Sequence, residues 1–141
     1  MTPEQKENFK AYLQALRSGE YPQTKSYLHT DEGFCCLGVM CDVYRKLTGI
    51  GEWVGISNRP ECYAFTTDGG LSKYTSDPTL EVAEFFGIKG LGCKFYTRYP
   101  ILKTSQAEIG GYKGVPASVL NDSYGLSFEE IADCFERTFL E

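Results

Sequence analysis

The chain has 141 residues, 42% of them hydrophobic and 23% charged, a balance that suits one folded domain over 1–141 and excludes a disordered or low-complexity chain. Fourteen Lys and Arg stand against 19 Asp and Glu, a formal net charge of -5, so a broad cationic surface for duplex DNA is not expected. No apolar run approaches the ~20 residues that span a bilayer, and Met1 to Glu7 has no apolar stretch of the signal-peptide kind, so the expectation is no membrane and a cytoplasmic location.

The first predicted element is a helix that opens at Pro3. Thr2 is a good N-cap, Pro3 fits the first helical position, and Gln5 completes a capping box. Phe9, Tyr12, Leu13 and Leu16 recur at helical spacing, and Gly19 ends the run. A short strand is expected around Ser26 to His29, followed by a turn at Asp31-Glu32-Gly33. A second helix is read from Phe34 to Leu47, with Leu37, Met40, Cys41, Tyr44 and Leu47 on one face and Gly49 as its stop. Gly38 inside that helix costs about 1 kcal/mol against alanine, which points to a close backbone approach.

The centre is less regular. Glu52-Trp53-Val54 opens it, Glu61 to Phe65 reads as a strand, and Asp68-Gly69-Gly70 is a turn from which Leu71 to Thr75 would return antiparallel. Asp77 then caps a short helix from Pro78, with Leu80, Ala83 and Phe85 or Phe86 inward and Gly87 at its end. Cys93 to Thr97 is a further strand, and a loop runs through Gly110, Gly111 and Gly114. Asn121-Asp122-Ser123 reads as a capped turn. The last helix is capped by Ser127 with Glu130 and carries Phe128, Ile131, Phe135 and Phe139 on one line. The expected fold is therefore α+β, with terminal helices packed around a small, irregular antiparallel sheet.

Six cysteines are present: Cys35, Cys36, Cys41, Cys62, Cys93 and Cys134. No CxxC pair occurs and His29 is the sole histidine, so no metal site is expected and buried reduced thiols are the favoured reading. The motif Gly33-Phe34-Cys35-Cys36-Leu37-Gly38-Val39-Met40-Cys41-Asp42, with Leu120-Asn121-Asp122 and Ser127-Phe128-Glu129-Glu130-Ile131-Ala132-Asp133, resembles a group of small bacteriophage and prophage proteins of unknown function. The resemblance implies a phage accessory protein in the bacterial cytoplasm, and it brings no catalytic role.

A cysteine enzyme acting on a nucleotide or amide would use Cys35 or Cys36 near a helix start, with His29 upstream and Gln23 or Asn121 to orient. The apolar setting between Phe34 and Leu37 favours packing instead, and no catalytic residue is assigned. Aromatic residues crowd the central segment, with arginines among them. Trp53, Arg59, Tyr63, Arg98 and Tyr99 are the candidate ligand-binding residues, rings for base stacking and guanidinium groups for phosphate. The resulting expectation is a phage counter-defence protein that sequesters a small nucleotide immune signal, such as a cyclic dinucleotide or cyclic ADP-ribose, without cleaving it. It needs no cofactor, and a homo-oligomer would supply the concave site. A protein-binding inhibitor of a host factor is the further alternative.

Overall fold

The computed structural model describes residues 1–88 and 116–140, and the backbone alone at 96–97, 108–109, 112–113 and 115. Its helices are α1 (Pro3–Arg17), α2 (Cys36–Thr48), α3 (Leu80–Phe85), α4 (Ala117–Asp122) and α5 (Phe128–Phe139). The strands are β1 (His29–Thr30), β2 (Gly33–Phe34), β3 (Glu52–Ile56), β4 (Arg59–Thr66), β5 (Tyr96–Thr97), β6 (Glu108–Ile109), β7 (Tyr112–Lys113) and β8 (Val115–Pro116). β1 to β4 form an antiparallel sheet in the order β2-β1-β4-β3, while β5 pairs with β8 and β6 with β7. The fold is α+β.

Both terminal helices start as their sequences dictate. Thr2 and Gln5 exchange capping bonds of 3.1 and 2.9 Å, and Ser127 and Glu130 do the same at 3.2 and 3.0 Å. The two helices pack through rings: Phe9 lies 6.3 Å from Phe135 and 5.3 Å from Phe139, and Tyr12 stacks on Phe135 at 6.1 Å. Each fully buried ring of this kind contributes roughly 1.5–3 kcal/mol, so this layer carries much of the core's stability. Outside it, Arg17 bridges to Asp133 at 2.7 Å and Glu136 at 3.2 Å.

α2 is the central element, buried along Cys36 to Tyr44. The tyrosine hydroxyl of Tyr12 donates to the Cys36 carbonyl at 2.6 Å, tying α1 to its start. A Cβ at Gly38 would run into the Leu28 carbonyl oxygen, so the close approach expected of that glycine is real. Gly49 closes the helix with φ of 74°.

Several expectations change. Phe34 belongs to β2 rather than to the helix, because it pairs with His29 across a two-residue turn. Leu47 is 53% exposed, since the last turn of α2 runs past the core. The irregular centre is a β3–β4 hairpin that pairs evenly from Glu52 and Thr66 to Gly55 and Tyr63 and shifts register between Gly55 and Ile56, so the main partner of Glu61 to Phe65 precedes it in sequence. The returning segment contributes one antiparallel bridge, Phe65 to Tyr74. Thr79, not Asp77, caps α3, accepting from Val82 at 3.3 Å, and this shift turns Leu80 outward while Val82, Ala83 and Phe86 are buried. Of the expected strand at 93–97, β5 is the part described, and the glycine loop after it lies outside the described residues. Asn121 and Asp122 form the last turn of α4, with Ser123 as its C-cap, rather than a separate capped turn.

Candidate functional site

The short strand β1 lies between β2 and β4, and its register puts His29 opposite both Phe34 and Tyr63. Residues paired in this way share one face of a sheet, so the three rings form a cross-strand row. Phe34 and His29 stack at 3.8 Å and 3°, and His29 and Tyr63 at 4.8 Å and 26°. Trp53 meets the row edge-on, 5.0 Å from His29 and 4.9 Å from the buried Phe65. The Nδ1 of His29 lies 2.8 Å from the Gly33 carbonyl, a bond that requires a proton on that nitrogen.

One carboxylate holds the back of this row. Asp42, on α2 and 4% exposed, accepts from Trp53 Nε1 at 3.0 Å, from Arg45 Nε and Nη2 at 3.0 and 2.8 Å, and from the Tyr21 hydroxyl at 2.6 Å. Burial by itself would raise its pKa, but the bonds from Tyr21, Trp53 and Arg45 outweigh that and hold the carboxyl below its ordinary value. Burial, together with the bond to Asp42, pushes the Tyr21 hydroxyl well up.

A cleft opens around the turn that follows β1. Tyr63 donates its hydroxyl to Asp31 at 2.6 Å, and Asp31 lines a cavity of about 420 Å³ with Lys25, Tyr27, Thr30, Glu32 and Glu61. That volume lies within the usual range for small-molecule sites. The Arg59 guanidinium stands over the Tyr27 ring at 5.7 Å. Between Lys25 and Tyr27, Ser26 has φ of 75°, the one left-handed non-glycine residue among those described. A conformation of this kind costs about 1–3 kcal/mol and concentrates at ligand sites.

Trp53 and Tyr63 are thus joined through His29, and Tyr63 and Arg59 reach the same cleft through Asp31 and Tyr27. Arg98 and Tyr99 lie outside the described residues. Sequence reasoning missed Tyr27, Asp31 and Glu61. Alternate positions 27, 29 and 31, and 61, 63 and 65, carry the period of two that would place them on strand faces, but their mutual register depends on the fold.

The thiols lie elsewhere. Cys35 stands at the N-cap position of α2 without a side-chain capping bond, and burial pushes its thiol up to about 11 against the lowering pull of the Gly38 and Leu37 amides. Burial likewise raises Cys36 and Cys41. Gln23 and Asn121 do come together at 2.9 Å, but Asn121 Oδ1 accepts from the backbone N–H of Cys36, not from a thiol. His29 pairs with Phe34, the residue before Cys35, so strand alternation directs its ring and the Cys35 side chain to opposite faces. No imidazole is positioned to activate either thiol among the described residues.

These features define a small α+β protein with a row of stacked rings beside an open, ligand-sized cleft. The chain belongs to the family described as domain of unknown function (DUF8296), which it matches over residues 1–139. No curated protein and no solved structure matches it. Among the described residues, no helix is long and apolar enough to cross a membrane.

Proposed function

We propose that this protein binds a small nucleotide signal and holds it without cleaving it. The observation that carries the reading is the cleft itself, about 420 Å³, whose lining residues Tyr27 and Asp31 are met from outside by Arg59 and Tyr63. Lys25 and Arg59 offer charge to a phosphate, while the three carboxylates Asp31, Glu32 and Glu61 accept from ribose hydroxyls or base amino groups. Trp53 backs the row, and Arg98 and Tyr99 remain candidates for the same ligand. The buried thiols favour holding over catalysis. A bacteriophage origin, with the protein acting as a homo-oligomer in the host cytoplasm to blunt a nucleotide-triggered defence, completes the proposal.

The test is incubation with cyclic dinucleotides and cyclic ADP-ribose isomers, followed by denaturation of the protein. Release of intact nucleotide is the expected result. Recovery of an altered nucleotide would make the protein an enzyme, and no uptake at all would overturn the reading. Arg59→Ala is expected to weaken uptake about tenfold or more, since it removes a charge-assisted bond.

A further inference from the structure

The row of rings on the sheet is one member short. Phe34, His29 and Tyr63 stand on β2, β1 and β4 in register, and the residue paired with Tyr63 on the last strand, β3, is Gly55. His29 covers one face of Tyr63. The other face is turned toward β3, where Gly55 is exposed and, beyond its two chain neighbours, no described residue has an atom within 4 Å of the place its Cβ would take. The bulge between Gly55 and Ile56 is one usual setting for a glycine, but the two other reasons do not apply. Gly55 does not adopt the left-handed conformation, and nothing packs closely against it. What its missing side chain leaves is a gap about one strand spacing wide, ~4.8 Å, beside an aromatic face. A planar ring fits such a gap at stacking distance. Trp53, two residues earlier on the same strand face, bounds it on one side, and the bulge between Gly55 and Ile56 bounds it on the other.

We infer that the base of the bound nucleotide lies over Gly55 and stacks on Tyr63 as the fourth ring of the row. The inference rests on the nucleotide reading above and deepens it by naming where the base sits. Stacking of this kind accepts any base, because every base has an aromatic face. Selectivity among nucleotides then falls to the polar groups of the neighbouring cleft.

The experiment is calorimetric titration of the whole protein with cyclic di-AMP and with cyclic ADP-ribose, for the wild type, Gly55→Val and Tyr63→Leu. Valine suits a strand and fills the gap, so the Gly55→Val protein is expected to keep its melting temperature and lose affinity about tenfold or more. Tyr63→Leu removes the stacking face and is expected to lose a similar factor. In the isotope-labelled wild type, the Gly55 amide resonance is expected to move on saturation through the ring current of the base, a readout that needs no variant. Wild-type affinity in both variants, or a Gly55 resonance unmoved at saturation, would overturn the stacking site and leave nucleotide binding standing. Absence of binding to the wild type by either probe would overturn both.

Discussion

The indole Nε1 of Trp53, on β3, donates to Asp42 Oδ1, on α2, at 3.0 Å. The bond spans sheet and helix at the margin of the core and fixes the ring that backs the stacked row. Asp42 is therefore a structural centre for the candidate site, joined also by Tyr21 and Arg45.

Acid should undo this centre. The folded-state pKa of Asp42 lies below its unfolded value, because hydrogen bonds to the carboxylate outweigh burial. The sign follows: its contribution is complete above about pH 4 and is lost as pH falls through the folded pKa. Asp42→Asn is expected to cost about 2–4 kcal/mol at neutral pH and to flatten the acid limb of the stability curve. Thermal melts between about pH 6 and pH 2 measure both. An unchanged acid limb in the variant would show that other carboxylates govern it.

Thiol alkylation separates packing from catalysis. Cys35, Cys36, Cys41, Cys62 and Cys134 are all buried and free. Cys35, pushed up to about 11, is almost wholly protonated near neutrality. Peptide mapping after iodoacetamide treatment at about pH 8, where an ordinary thiol near 8.5 is partly ionised, is expected to find these five unlabelled until the protein unfolds. Rapid native labelling of Cys35 or Cys36 would revive the enzyme alternative.

Two glycines of α2 and its cap distinguish steric from conformational cost. Gly38→Ala drives a Cβ into the Leu28 carbonyl and is expected to cost about 3 kcal/mol or more, or to prevent folding. Gly49→Ala meets open space and pays only for its left-handed φ of 74°, about 1–2 kcal/mol. Urea denaturation of the two variants checks the order, and equal losses would contradict it.

Asn121 is fully buried and binds four groups: it accepts from Cys36 N and Gln23 Nε2 and donates to the Thr24 carbonyl and Asp122. Asn121→Ala leaves buried backbone groups unpaired and is expected to cost about 2–4 kcal/mol. The same loss should appear as faster amide exchange at Cys36, which a distributed packing effect would not localise.

Much of the fold is legible along the chain. Thr2 with Gln5 and Ser127 with Glu130 specify helix starts from residues three apart, and Phe9, Tyr12, Phe128 and Ile131 declare a buried face by period alone. Gly38 announces its close contact because glycine has few other reasons to sit inside a helix. These signals are local, and the hydrogen bonds and stripes they encode form within one or two turns. The candidate site is different in kind. Trp53 and Tyr63 could be picked out as aromatic residues in a segment without helical period, but His29 as the ring between them could not. Their meeting depends on the order β2-β1-β4-β3 and on its register. A shift of one residue in β4 would send Tyr63 to the other face and bring Cys62 or Ala64 beside His29. Composition and local pattern thus determined the α+β class and the caps and buried faces of the two terminal helices, since nearest neighbours along the chain suffice for them. The row of rings, its gap at Gly55 and the cleft beside Asp31 were decided by long-range strand pairing, which fixes the side-chain neighbours and their shared face.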